Sequence, residues 1–331
     1  MSNQQSQLPD HLLLLVQQVK AHYLELEVIG KPGRPRTYTA LSFLLLAVVA
    51  VTLRTFKGLE LRRLLEKDSY LRRELGFETV PHRRTIERRL NSLQPEAETQ
   101  VAALGQRIVA EVEPSAEVQV ASAIDGRMYK SRGPLWHHKQ RKQGIIPLHL
   151  RNVDTQSRWS KSGYRGWVQG YRLLLQTLLL PAPIPLFATW QPNNLYEEHL
   201  ALEALRASRM PVTSLLLGDT SFGSPELVSA YAERGGWLLT PKQLPPSYRT
   251  WKHDLFALRK ETIELLFQRI MQAVGLKDCP TKGLRRNGAF VIASVWLYQV
   301  IAWSNYKQGK PIAEVKETID LVPSAINTAR V

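Results

Sequence analysis

Apolar residues recur along this chain first at helical and then at strand spacing, and the change falls near residue 114. Residues 1–30 carry the amphipathic run "HLLLLVQQVKAHYLELEVIG", which "KPGRPRTYT" ends, because proline and glycine suit no helix interior. From Thr39 to Glu111 the spacing is helical throughout, interrupted near Lys57-Gly58, Gly76 to Pro81 and Gln94-Pro95. Past residue 114, "EVQVASAID" alternates as a strand does, and "IIPLHLRNVD" and "GWVQGYRLLLQTLLL" predict a second and a third strand. Helix "NLYEEHLALEALRAS", strand "PVTSLLLGD", helix "SPELVSAYAERG" and short strand "GWLLTPK" follow. Two long helices close the pattern, "DLFALRKETIELLFQRIMQAVG" and "GAFVIASVWLYQVIAWSNY". Successive strands favour hairpins and strand–helix alternation favours crossovers. The pattern predicts an α/β unit over 114–306, a mixed sheet flanked by helices, after an all-helical region over 1–113 and before a polar tail over 307–331.

The most apolar stretch, "LLLAVVAV" from Leu44 to Val51, falls short of the roughly 20 residues a bilayer requires, so it predicts a buried helix. The first thirty residues carry acids and lack a small-residue cleavage site, so no signal peptide is expected. The single cysteine, Cys279, excludes an internal disulfide and any cysteine-based zinc site, which fits a reducing cytosol.

Charge narrows the partner. The net charge is +15, a balance suited to a polyanion, and with no membrane segment the expected partner is nucleic acid. The excess is local: Lys31 to Leu90 holds 14 Lys/Arg against 6 Asp/Glu, and residues 126–172 hold 11 Lys/Arg against Asp154 alone.

Three carboxylates stand apart from this basic background. Asp125 follows the first predicted strand and Asp219 the fourth, each trailed by small or flexible residues. An Asp at such a place usually caps a turn or the next helix, and Ser224-Pro225 reads as a helix start. If the two strands are neighbours, however, the aspartates meet at their tips. In "RKETIELLFQR", Ile263, Leu266, Phe267, Ile270 and Val274 form an apolar stripe. Glu264 borders that stripe, beside Lys260 and Met271, whereas Glu261 turns toward the opposite face.

With "AIDGR", "LLLGDTSFGS" and "RKETIELLFQRI" in this order, the chain resembles the DDE transposases of the IS4/IS5 insertion-sequence type over roughly residues 35–305. The resemblance implies an RNase H-like catalytic core, with Asp125, Asp219 and Glu264 as catalytic metal ligands and Lys260 holding a phosphate nearby. Lys260 stands where the family usually has Arg, and Met271 where a Lys often follows the Glu. The implied cofactor is a pair of Mg²⁺ ions, with Mn²⁺ as a substitute, activating the attacking oxygen and stabilising the leaving one. Hard oxygen ligands suit these ions. The implied reaction is cleavage at element ends followed by strand transfer into target double-stranded DNA. A homodimer assembled on DNA, in the cytoplasm with the nucleoid, is expected from the need to pair two ends.

Candidate DNA contacts fall in three places. Arg34 and Arg36 flank a proline, as either a minor-groove arm or a solvated linker. In "ETVPHRRTIERRLNSL", Arg83, Arg84 and Arg88 face outward from Ile86, Leu90 and Leu93, as a helix-turn-helix element or simply a charged face. Arg127, Lys130, Arg132, Lys139, Arg141 and Lys142 follow Asp125 and would grip a DNA backbone. Trp136, Trp159 and Trp167 are open to either base stacking or core packing, and the adjacent His137 and His138 point apart, against metal ligation. Two other functions share these features: a DNA-binding protein derived from a transposase but without turnover, and a metal-dependent nuclease that cuts without joining.

Overall fold

The computed structural model describes residues 10–25, 37–114, 119–163, 165–243, 249–312, 314–315 and 317–319. Its sheet contains β1 (Ala121–Lys130), β2 (Arg158–Ser162), β3 (Gly166–Leu178), β4 (Pro185–Pro192), β5 (Leu215–Leu217) and β6 (Trp237–Leu239). β1 and β4 both pair antiparallel with the distal part of β3, one on each edge, while β5 and β6 continue parallel on the other side of β1. The path β4-β3-β1-β5-β6, antiparallel on one half and parallel on the other, is the RNase H-like order; β2 adds a hairpin to the start of β3.

Helices cover both faces, which is why β3 reads as a nearly unbroken apolar run. Side chains alternate across the sheet: Ala123, Leu173, Leu175, Ala188 and Leu217 enter one core, and Ile124, Leu174, Phe187 and Leu216 the other. The second core is closed by α8 (Glu197–Arg206) and α9 (Pro225–Ala232). Against the first pack α6 (Gln94–Val112), α10 (Arg249–Val274) and α11 (Leu284–Lys307). α6 lies directly on β4: a Cβ at Gly105 would fall 1.8 Å from the Leu186 carbonyl oxygen, so only glycine allows this approach. The buried Glu98 of α6 fastens the contact by accepting from the Trp190 amide at 2.9 Å and the Thr189 hydroxyl at 3.1 Å.

The same core extends into the N-terminal helices α1 (Asp10–Ala21), α2 (Ala40–Thr52), α3 (Gly58–Lys67), α4 (Ser69–Glu74) and α5 (Arg83–Leu90). α2 contains the "LLLAVVAV" run and is buried along nearly its whole length. Among the described residues no helix is long and apolar enough to cross a membrane.

One expected strand is absent, and two features escaped the pattern. "IIPLHLRNVD" is not a strand; those residues form turns and the second strand begins at Arg158, because Pro147 interrupts the run and its aliphatic side chains face solvent. β4 escapes the periodicity because Pro181, Pro183, Pro185 and Pro192 punctuate it, yet Pro185 and Pro192 sit at its ends, where a missing N–H is tolerated. The segment after Lys307 is not uniformly polar in its packing, since Val315 and Ile319, one helical turn apart, are buried in the main core.

Candidate active site

The register of two parallel strands brings the aspartates together. Ala121, Ser122 and Ala123 of β1 lie beside Leu215, Leu216 and Leu217 of β5. Two residues further along each strand stand Asp125 and Asp219, and adjacent strands lie only about 4.8 Å apart. Asp125 is not at a strand end as its sequence context suggests. β1 runs on through Gly126 to Lys130, still paired to β3, with Asp125 opposite Leu175. β5 stops at Leu217, so the edge of β1 facing it opens where Asp125 sits. Asp219 also caps the 3-10 turn Thr220–Phe222, accepting from the Ser221 amide at 2.7 Å and its hydroxyl at 2.5 Å.

A third carboxylate enters from the opposite face. Glu197 is the first residue of α8, and one oxygen each from Asp125, Glu197 and Asp219 lie within 4.8 Å of one another. Gly126 makes the room: a Cβ there would stand 2.3 Å from Glu197 Oε1. All three acids are half-buried.

Two buried arginines hold this group. Arg259 of α10 donates through Nη2 to the Ile124 carbonyl at 3.0 Å and lies 3.5 Å from Asp125 Oδ1. Arg172 of β3 donates through Nη1 to the Leu195 carbonyl at 2.8 Å, with Nε 3.2 Å from Glu197 Oε1. Burial nevertheless wins over these cations. It pushes the Glu197 carboxyl up to about 7, Arg172 opposing the shift and Asp125 and Asp219 adding to it. Burial raises Asp125 as well, against Arg259 and the Gly126 amide and with the help of Asp219 and Glu264. Burial therefore favours the protonated carboxyls, and only when all three are ionised do they outnumber their two arginines.

Glu264 lies close enough to Asp125 to act on it electrostatically, but its side chain is exposed and stands outside the three-oxygen group. Lys260, also exposed, lines with Glu261 and Glu264 a cleft of about 590 Å³ bounded by Pro241, His253 and Phe256. The cation touching Asp125 is thus Arg259, one residue before Lys260.

Of the basic candidates, Arg34 and Arg36 lie outside the described residues. Arg83, Arg84 and Arg88 are exposed on α5, with Ile86, Leu90 and Leu93 buried beneath, and Arg83 pairs with Glu87 at 2.9 Å. Arg127 is half-buried on β1, and Lys130, Lys139 and Lys142 are exposed. Arg132 and Arg141 instead donate to backbone, to the Pro280 carbonyl at 2.5 Å and the Thr155 carbonyl at 2.9 Å. Trp136 is buried and Trp159 donates to its carbonyl at 2.7 Å, so both serve packing, whereas Trp167 is exposed. His137 and His138 belong to no metal-competent cluster among the described residues.

Glu197, Arg172 and Arg259 are the residues that sequence reasoning passed over. Arg259 carried a signal: it falls four residues before Ile263 and seven before Leu266, so it extends the apolar stripe of its helix with a charge. Arg172 stood similarly between Tyr171 and Leu173. Glu197 gave none, since an acid in a helix's first turn ordinarily complements the helix dipole.

No protein-family model and no curated protein matches the sequence. Among solved structures, the chain is similar to a piggyBac transposase in a synaptic complex with hairpin DNA, at 10% identity over 97% of this chain and 78% of that one, with a TM-score of 0.42. It is also similar to the Mos1 transposase in a paired-end complex with the left transposon end, at 10% identity, 86% and 84% coverage and a TM-score of 0.23. A Mos1 mariner paired-end complex with Mn gives 11% identity, 88% and 87% coverage and a TM-score of 0.21.

Proposed function

We propose that this chain is a DDE-type DNA transposase of the IS4/IS5 insertion-sequence kind, cutting its element's ends and joining them to target DNA. One juxtaposition carries the reading: Asp125 and Asp219 at matching positions on neighbouring parallel strands, with Glu197 inside the same 4.8 Å, on a strongly basic chain. The donor set suits Mg²⁺ or Mn²⁺, because it is all hard oxygen and, once ionised, carries one negative charge more than Arg172 and Arg259 supply. When bound, such ions activate the attacking oxygen and stabilise the leaving one.

The chain's own residues prepare that site. Asp125, Glu197 and Asp219 would hold the divalent ions, and Glu264, close enough to act on Asp125 electrostatically, would add its charge to the group. Arg259 fixes the Asp125 carboxylate against the Ile124 carbonyl, and Arg172 fixes Glu197 against the Leu195 carbonyl, so both acids are oriented before substrate arrives. Lys260 meets a phosphate from the neighbouring cleft, while Arg127, Lys130, Lys139 and Lys142 carry the DNA backbone. Two copies pair the two ends on DNA, and the protein works in the cytoplasm at the nucleoid.

Incubation with supercoiled plasmid and Mg²⁺, with and without an oligonucleotide mimicking an element end, tests this. Nicking with joined products is expected, and Asp219→Asn should abolish both while DNA retardation persists. A wild-type protein that retards the plasmid but never nicks it would favour a binding-only descendant, which the arginine pairs on Asp125 and Glu197 would suit. Nicking without joining would favour a nuclease.

A further inference from the structure

The segment between β1 and β2, residues 131–157, presents aliphatic side chains to solvent on a rigid base. Trp136 donates its amide to Gln169 Oε1 at 2.8 Å and its indole N–H to the Ile145 carbonyl at 2.8 Å. Asp154, buried, accepts from the Tyr171 hydroxyl at 2.8 Å and the Gly283 amide at 3.0 Å. Between these two clamps the chain turns back at Pro147–Leu150, where the Leu150 amide reaches the Pro147 carbonyl at 2.9 Å. Leu148 is at the tip and is 98% exposed, with Ile145 and Ile146 about half-exposed behind it. A loop anchored this firmly could have folded those side chains inward. Instead it holds an apolar point outward.

Its surroundings name the occupant. The exposed charges of the segment include Lys139, Lys142 and Arg151, and the one acid of residues 126–172, Asp154, is internal. The short helix α7 (His138–Lys142) is polar on every side and offers no apolar face for a bilayer. An aliphatic tip with exposed Lys142 before it and Arg151 after it in the chain matches a duplex, in which phosphate rails flank a stack of bases that such wedges part. We propose that the Pro147–Leu150 turn is a DNA wedge, with Leu148 entering between base pairs and Lys139 and Lys142 on the flanking phosphates. The assignment rests on the DNA-handling function above and adds a distorting element to it. β1 spans about 17 Å from Asp125 to Lys130, so the segment leaves the sheet at that remove from the carboxylates.

The test uses the full chain with duplexes carrying 2-aminopurine at successive positions, and matched duplexes with a single mismatch that lowers the unstacking cost. Wild type should raise the fluorescence and prefer the mismatched duplex by about tenfold. Leu148→Ser should lose both effects while its salt dependence of binding stays that of wild type, and Leu148→Met should keep them. Leu148 is on the surface, and thermal melting verifies that both variants fold. Wild-type unstacking and mismatch preference in Leu148→Ser would overturn the proposal, as would their absence from wild type. Binding of phosphatidylglycerol vesicles that depends on Leu148, without any effect on DNA, would reassign the turn to a lipid surface. Plasmid retardation and nicking are scored on the same preparations. If wild type does neither, the transposase reading falls and the wedge with it; if it does both while Leu148→Ser unstacks DNA normally, only the wedge falls.

Discussion

Gly126→Ala is the substitution that most sharply separates the site from the fold. A Cβ at Gly126 would lie 2.3 Å from Glu197 Oε1, 2.5 Å from its Cδ and 2.9 Å from its Cγ, whereas ordinary contact begins at 3.4 Å. The Glu197 carboxylate must therefore withdraw by about 1 Å, away from Asp125 and Asp219 and out of its 3.2 Å contact with Arg172. Misplacement of about 1 Å in a reacting constellation costs on the order of 10²-fold in rate. The fold should tolerate the change. The obstacle is the far end of one flexible side chain, and alanine within a strand is favoured over glycine by roughly 0.5–1 kcal/mol. Nicking of supercoiled plasmid in Mg²⁺, urea unfolding and DNA retardation are measured together. The expected result is a stable, DNA-binding protein that nicks about a hundred times more slowly, with Glu197→Gln falling at least as far. A Gly126→Ala protein that folds, binds and nicks at the wild-type rate would remove Glu197 from the site.

Other consequences follow from the buried charges. Arg259→Met strips Asp125 of its cation and should lower the urea-unfolding free energy by about 3 kcal/mol, with an unchanged midpoint counting against the pairing. Glu197 has its pKa pushed from an ordinary 4.5 up to about 7, so between those values the folded state keeps a proton that the unfolded state has released. Stability of the metal-free protein should therefore fall as pH rises through that window, by on the order of 3 kcal/mol, and level off above it. Asp125, raised in the same direction, adds to the slope. Mg²⁺ should reverse the trend by stabilising the deprotonated cluster, and chelator-treated protein whose melting is flat from acid to neutral pH would contradict the assigned environment.

Four of the six strands and the meeting of Asp125 with Asp219 were legible in sequence, while the approach of Glu197 was not. Asp125 and Asp219 could be paired because each follows an apolar strand, and the parallel register of those strands does the rest. α2 was legible because its unbroken apolar run, too short for a bilayer, predicts a buried helix. Proline hid β4, since a strand bounded by Pro185 and Pro192 resembles a loop, and with β4 unplaced the approach of Glu197 from α8 could not be seen. "IIPLHLRNVD" misled in the opposite direction, because strand-like residues point outward from a turn there. The Arg259 and Lys260 pair shows the limit of spacing: adjacent residues on one helix, one buried against Asp125 and the other in an open cleft, are separated by 100° of rotation.

The most direct measurement is an anomalous-scattering map from crystals soaked in Mn²⁺. A peak within about 2.0–2.6 Å of oxygens from Asp125, Glu197 and Asp219 is expected, lost in Asp125→Asn. No peak among those carboxylates, at Mn²⁺ levels where the protein cuts DNA, would show that the cluster is held by its arginines and that the chemistry lies elsewhere.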